Sequence, residues 1–293
     1  MANLRAIRTR IRSVENTRQI TKSMKMVAAA KLRRTQSAFA SLKEYAARSS
    51  EMLAQVSGAA KDTDNPLLRP HDKNERVCYV LIVGNRGLCG TYNSALLRYL
   101  EELAAAEERE KQLVVCGRWG KDMIPAAGIR IRESFEISDA PDAKEAAALA
   151  AFLRGLYVSG EADEIVLVCQ QFKSVLQQTP GARTLLPMAA LPEEERDEGL
   201  RRRVIFEPDR ESLLNTLVEM TLLNTVHAAL LEARTGEHSA RMTAMTAAAD
   251  NTEELIGELT LQLNHARQAA ITTEISEIAG GAEALRQNST DRS

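Results

Sequence analysis

The chain has 293 residues, a formal net charge of −2, and a composition that is 44% hydrophobic but only 4% aromatic. Such a length allows one or two domains, and a composition rich in Ala and Leu with few aromatics favours helices. No run of 18 apolar residues occurs, which excludes a membrane-spanning helix, and the four scattered cysteines without a CxxC pair read as reduced thiols and not as a disulfide scaffold.

The first predicted element covers about residues 2–57. All eight prolines lie between Pro66 and Pro208, so a long arm on either side is free of the residue that breaks helix interiors. The apolar stripe of this first arm begins at once with Leu4, Ile7, Ile11 and Val14. It turns polar at Arg18, Thr21 and Lys25, then resumes with Ala28, Leu32, Phe39 and Leu42. The segment MANLRAIRTRIRSV lacks an apolar signal core and reads as a helix of the mature protein rather than as a transit peptide. Twelve Lys/Arg stand against Glu15, Glu44 and Glu51 in residues 1–57, a net +9. Gly58 and the stretch KDTDNPLLRPHDKNE end the arm as a loop.

Residues 76–208 change period. VCYVLIV (Val77–Val83) is a continuous apolar strand signal, followed by the turn GNRGLCG and a helix-like NSALLRYLEELAAAEER. LVVC (Leu113–Cys116) repeats the strand signal, with a short helical piece after it. IRIRESFEI (Ile129–Ile137) alternates, Ala143–Tyr157 is helical, and EIVLVC (Glu164–Cys169) is another buried strand. Strands alternating with helices, apolar throughout, predict a mostly parallel sheet covered on both faces. The run Pro192–Arg203 reads as a charged, exposed connection.

The second arm starts at Pro208-Asp209, a proline-plus-acid helix start, and runs to about residue 286. Met242, Met245, Ala249, Thr252, Ile256, Leu259, Leu263, Ala266, Ala270 and Thr273 alternate steps of three and four, the spacing of a left-handed coiled coil. Gly236 is expected to loosen this helix and Gly280-Gly281 to interrupt it. Six Arg against thirteen Asp/Glu give residues 209–293 a net −7, so a basic and an acidic rod would attract each other. At about 1.5 Å per residue, a helix of about 70 residues runs roughly 105 Å, so length itself is a tool here.

The chemical motifs are sparse. The loop Gly84-Asn85-Arg86-Gly87-Leu88-Cys89-Gly90 sits between strand and helix where a phosphate cradle could lie. Its spacing is GxxGxxG rather than GxGxxG, no GK[ST] follows, and Cys116-Gly117-Arg118 stands where a ribose-binding acid is expected. A tight turn with close helix–strand packing accounts for the glycines better than a nucleotide does. His71, His227, His238 and His265 show no metal-ligand spacing, and no positioned nucleophile–base pair can be argued, Cys89 included. The basic arm has only Phe39 and Tyr45 for stacking on bases, so an acidic protein partner suits it better than nucleic acid. Two alternatives are set aside on these grounds: an oxidoreductase with coiled-coil oligomerisation arms, which would bind NAD or ATP, and a nucleic-acid-binding coiled coil, whose affinity would fall steeply with salt.

Two blocks carry a family resemblance. IRTRIRSVENTRQITKSMKMVAAAKLRR (residues 7–34) and the C-terminal segment 234–285, containing Ile271-Thr272-Thr273-Glu274-Ile275-Ser276-Glu277-Ile278-Ala279-Gly280-Gly281-Ala282-Glu283-Ala284, closely resemble the terminal helices of the gamma subunits of F-type ATP synthases. Arg86-Gly87-Leu88-Cys89-Gly90 matches the RGLCG of that family's middle domain. Asn85 departs from a common Asp, Thr91 from a common glycine, the 190–206 connection is short, and no cysteine-bearing insertion for redox switching is present.

The resemblance implies an α/β fold class in which a long antiparallel coiled coil of N- and C-terminal helices (residues 1–58 and 209–286) accompanies a central Rossmann-like α/β domain (residues 76–208) that binds no nucleotide. It implies a non-catalytic rotor shaft without cofactor or metal, turning inside three alpha and three beta subunits and meeting an epsilon subunit and the c-ring. Such a chain is peripheral on the cytoplasmic face of the membrane, and ion flow drives ATP synthesis or hydrolysis at sites on other subunits. A sodium-translocating complex would use the same shaft. Residue by residue, the resemblance places Met24 and Lys25 in the contact with acidic beta-subunit loops, and Arg33 and Arg34, on the same basic arm, are taken as further partner-contact residues. It places Arg241 in a segment coupled to that contact, and Arg267, Gln268, Thr272 and Glu274 in an upper region that hydrogen-bonds the ring.

Overall fold

A computed structural model describes residues 2–58, 65–119, 129–188 and 209–290. The elements in chain order are α1 (Ala2–Gly58), a 3-10 turn (Pro66–Leu68), β1 (Arg76–Ile82), α2 (Tyr92–Ala106), β2 (Glu110–Cys116), β3 (Arg130–Phe135), α3 (Ala143–Val158), β4 (Glu164–Phe172), β5 (Gln178–Leu186) and α4 (Arg210–Thr290). Two compact units divide the chain: Val27–Ala244, and Met1–Met26 with Met245–Ser293, so each long helix contributes to both. No helix among the described residues is long and apolar enough to cross a membrane.

In the larger unit a five-stranded sheet has the order β3-β2-β1-β4-β5. Strands β1 to β4 pair in parallel, and β5 returns antiparallel on β4. The continuous apolar run of β1 follows from burial on both faces. Cys78, Val80 and Ile82 pack with Leu149, Leu153 and Tyr157 of α3 and Leu217, Val226 and Leu230 of α4. Val77, Tyr79, Leu81 and Val83 pack instead with Tyr92, Leu96 and Leu100 of α2. The thiols of Cys78, Cys116 and Cys169 are fully buried on neighbouring strands, and burial pushes each up to about 12, far from thiolate reactivity.

Several boundaries differ from the sequence expectation. Helix α2 ends at Ala106, because Glu107 and Arg109 leave the helix to form a bidentate pair, and Arg109 also meets Glu164 at 2.9 Å. Strand β5 lacks an apolar signal because it carries Pro180 and Gly181. Both are tolerated on the sheet's outermost strand, where a missing N–H costs no ladder bond. At Gly181 a Cβ would stand 2.5 Å from the Gln171 amide nitrogen, so a larger residue there would require the exposed Gln171 side chain to swing away. Helix α4 runs unbroken through Gly236 and Gly280-Gly281. Gly236 is a packing position: its Cβ would lie 3.2 Å from the Tyr92 ring, whose hydroxyl donates to the Ala233 carbonyl at 2.7 Å. The helical piece expected after Cys116 falls mainly, and the Pro192–Arg203 connection wholly, outside the described residues.

In the smaller unit, the early part of α1 and the late part of α4 display the heptad. Leu4, Ile7, Ile11 and Val14 are half-buried between exposed arginines. On α4, Met245, Ala249 and Leu259 are buried, and Thr252, Ile256, Leu263, Ala266 and Ala270 half-buried. Two polar positions of the α1 stripe stay on the covered face: Thr21 is buried, and Arg18 reaches Glu253 at 3.1 Å, which Lys22 also approaches at 3.8 Å. The two terminal helices thus form a coiled coil whose cross-helix ion pairs converge on one carboxylate.

Candidate functional site

In open α/β folds, ligands occupy the crevice beyond the carboxyl ends of the strands, where the strand order reverses. Here that point lies at the end of β1, between β2 on one side and β4 on the other, and the glycine loop Gly84–Gly90 emerges from it. The loop turns sharply, with Leu88 at φ 60° and Gly90 at φ 58°, and Gly84 donates its N–H to the Asn93 Oδ1 of α2 at 2.9 Å. What fills the crevice is a side chain of α4. A Cβ on Gly84 would stand 2.9 Å from the carboxyl carbon of Glu237, so the glycine exists to admit that carboxylate.

Glu237 is held from both sides. Its Oε2 accepts from Arg234 Nη1 at 2.6 Å and its Oε1 from Arg241 Nη2 at 2.7 Å. Burial would push this carboxyl up, but the two guanidinium groups outweigh it and hold Glu237 below the usual carboxylate range. Arg234, only 1% exposed, uses its remaining donors on carbonyls: Val83 at 3.2 Å, Ile137 at 3.0 Å and Ser138 at 3.1 Å, with Asn85 Oδ1 at 3.1 Å. Arg241 Nη2 also donates to the carbonyls of Arg86 and Gly87 at 3.2 and 3.3 Å, tying the loop crest to α4. Asn85 accepts from Arg234 and donates its amide to the Ile137 carbonyl at 2.7 Å. An ionised carboxylate at this position would have no proton to offer Ile137, so the amide suits the contact. Chemically the site is an internal ion-pair lock that seats a helix on a sheet, built where other α/β proteins place an anionic ligand.

The residues singled out from sequence are distributed between the units. Met24 and Lys25 are half-buried near the end of the smaller unit's share of α1. Arg267, Gln268, Thr272 and Glu274 are exposed on α4 in the same unit, and the Thr272 hydroxyl donates to its own helix at the Gln268 carbonyl, 3.0 Å away. Arg33 and Arg34 are exposed on α1 in the larger unit, next to Lys31, whose ammonium donates to Asp139 at 2.5 Å. Arg241, in the larger unit, is committed to the glycine loop and Glu237.

The lock itself was missed from sequence, yet a signal existed. Arg234, Glu237 and Arg241 are spaced i, i+3, i+7 on one helical face; the first two lie inside residues 228–239, which are buried on every side, and Arg241 stands just beyond them. An acid set between two arginines at i, i+3, i+7 is a spacing that names its own ion-pair partners, and charges in a helix buried all round need them.

A family model described as ATP synthase matches residues 3–285. The chain is 44% identical over 286 residues to an ATP synthase gamma chain of Desulfitobacterium hafniense, covering 97% of this chain and 100% of that relative. It is 42% identical over 287 residues to the corresponding chain of Moorella thermoacetica, with 98% and 100% covered. Among solved structures, it resembles a chain of the Euglena gracilis mitochondrial ATP synthase OSCP/F1/c-ring assembly at TM-score 0.66 and 19% identity, covering 97% of this chain and 95% of that one. A chain of the Tetrahymena thermophila mitochondrial ATP synthase central stalk and c-ring gives TM-score 0.59 at 24% identity, covering 78% and 99%.

Proposed function

The chain belongs to the ATP synthase gamma-chain family, and from that membership we propose that it is the central rotor shaft of an F-type ATP synthase. In this reading it couples ion flow through a membrane ring to ATP synthesis or hydrolysis on surrounding subunits, and performs no chemistry itself. The observation that carries the reading is the end of α4. Every side chain from Ile271 to Ala282 is exposed, including Ile271, Ile275 and Ile278 at 48%, 61% and 72%. Nothing among the described residues covers this segment, so a sleeve of other chains is what it fits.

The filled crevice supports the non-catalytic part. Glu237 and its two arginines occupy the place where a nucleotide phosphate would sit, which leaves the glycine loop a structural turn. The partners in this reading are three alpha and three beta subunits around the coiled coil, with an epsilon subunit and a c-ring against the α/β layer. Met24, Lys25, Arg33 and Arg34 then face acidic loops of the beta subunits, while Arg267, Gln268, Thr272 and Glu274 hydrogen-bond the ring. The exposed guanidinium groups of Arg33 and Arg34 suit an acidic surface that must be engaged without one locked geometry. The chain is held peripherally on the cytoplasmic face through these partners. The test is purification of the tagged chain from its own cells: a stoichiometric excess of alpha- and beta-type subunits with ATPase activity is expected. Recovery of the chain alone, with no such subunits, would overturn the reading.

A further inference from the structure

We propose that the segment Ile137–Pro141, between β3 and α3, is the clamp that transmits torque between the sheet and both long helices; this rests on the rotor reading above. Three side chains of α4 grip it: His227 Nε2 donates to the Pro141 carbonyl at 3.1 Å, Arg234 to the carbonyls of Ile137 and Ser138 at 3.0 and 3.1 Å, and His238 Nε2 to the Asp139 carbonyl at 3.1 Å. Steps of seven and four residues place these three on one face of the helix. From α1, Lys31 Nζ donates to the Asp139 carboxylate at 2.5 Å. From the sheet side, Asn85 donates to the Ile137 carbonyl at 2.7 Å. The segment is also anchored at its far side, where Glu145 accepts from the Ser138 N–H and hydroxyl at 2.8 and 2.7 Å while Asp142 caps α3.

The chemistry distinguishes a clamp from ordinary packing. Leu217, Val226 and Leu230 of α4 contribute non-directional apolar contact with the sheet, and such contact resists separation far better than it resists slippage. Hydrogen bonds to successive main-chain carbonyls are directional, and buried donors cannot exchange them for water without cost. A carbonyl partner also fixes each histidine as the Nε2–H tautomer. The helix is thereby held against rotation about its own axis by donors at three heights, and α1 is tied to the same short segment.

The test uses the complete complex with its ring of alpha and beta subunits fixed to a surface. A bead is attached through Leu176→Cys, a position 87% exposed, while the four native thiols are buried. The readout is the bead's angular spread during pauses, which reports torsional stiffness between the α/β layer and the shaft. The His227→Leu, Asp139→Ala double variant removes two independent grips, and stiffness should fall about twofold while unloaded ATP hydrolysis is unchanged. Restoring a donor with His227→Gln beside Asp139→Ala should recover part of the stiffness, which a mere loss of fold stability would not predict. If the double variant does not assemble, Asp139→Ala alone gives the same reading at smaller amplitude. An unchanged spread, or a widening that His227→Gln does not narrow, overturns the clamp. A wild-type bead that never turns with ATP sinks the rotor reading first, and the clamp with it.

Discussion

Arg234 Nη1 and Glu237 Oε2 lie 2.6 Å apart on one turn of α4, both residues 1% exposed, in the crevice where an α/β sheet receives its ligand. A helix of the same chain thus supplies both the anion and its counter-charges. Arg241 adds a second guanidinium, so the cluster carries a net positive charge that the carbonyls of Val83, Ile137, Ser138, Arg86 and Gly87 offset.

Breaking that pair should cost more than deleting it. Glu237→Leu leaves Arg234 buried without its carboxylate partner, and the loss should be about 3–5 kcal/mol. Arg234→Met with Glu237→Leu removes both charges, and its loss should be smaller than that of the single variant. Urea unfolding of the purified chain reads both. A double variant less stable than the single would contradict the account of the lock as a mutually dependent pair.

The glycines near the crevice should respond very differently to alanine. Gly117 has φ +119°, and its Cβ would lie 2.3 Å from the Val83 carbonyl oxygen, so Gly117→Ala combines backbone strain with a clash against main chain. A loss of at least about 2 kcal/mol is expected. Gly87→Ala meets nothing within 4 Å and should change stability by no more than about 0.5 kcal/mol. Thermal unfolding of the two variants side by side checks the contrast.

Asp163 sets an acid limit on stability. Burial would raise its pKa, but His71 Nδ1 at 2.9 Å, the Arg76 guanidinium, and the N–H groups of Glu75 and Arg76 outweigh burial and hold it at about 2. A carboxyl depressed in the folded state favours folding wherever it is ionised in the unfolded chain. Its contribution is therefore complete above about pH 4 and lost as pH falls through about 2. That contribution is worth about 2 kcal/mol. Asp163→Asn should lower stability at neutral pH, and the gap between variant and wild type should close between about pH 4 and 2. Urea midpoints across that range test it, and a gap independent of pH would count against the ion-pair account.

Much of this architecture was legible in the sequence. The absence of proline marked α1 and α4, and the heptad from Met242 to Ala270 matched the covered face position by position, with only Thr273 falling on an exposed one. Apolar strands of β1, β2 and β4 announced a sheet buried on both faces. Strand β5 was illegible because Pro180 and Gly181 signal a turn unless the strand is known to be an edge, and edge status is a tertiary fact. The lock was hidden for a related reason. Sequence gives the i, i+3, i+7 spacing of its charges, but not that Gly84, some 150 residues away, is open to receive Glu237. Likewise the carbonyls of Ile137–Pro141 are main-chain groups, and no side-chain pattern points to them.

Lys25 offers a test of the acidic-partner reading. It is half-buried on α1, and reversing its charge leaves the heptad contacts at Thr21 and Ala28 untouched. Lys25→Glu should change the unfolding free energy of the isolated chain by no more than about 0.5 kcal/mol, while ion-driven ATP synthesis by the assembled complex falls. Raising the salt concentration should shrink the difference, since a solvent-facing charge pair is screened. Unchanged synthesis would argue that no acidic group faces Lys25.

The coiled coil itself can be probed at Leu259 and Leu261. They are two residues apart on α4 and identical in chemistry, yet Leu259 is 4% and Leu261 63% exposed. Leu259→Ala should cost about 2–4 kcal/mol through lost burial and the cavity left behind, whereas Leu261→Ala should be close to neutral, since alanine is the better helix former. Proline separates helix continuity from stripe burial, because it removes a main-chain donor and clashes with the preceding turn at either position, at about 3 kcal/mol. Leu261→Pro should therefore prevent assembly with the surrounding subunits although its side chain faces solvent, and Leu261→Ala should assemble normally. Helicity by circular dichroism and recovery of the complex by co-purification give the two readouts. If Leu261→Pro assembled and coupled like wild type, an unbroken helix at this height would not be needed to carry rotation.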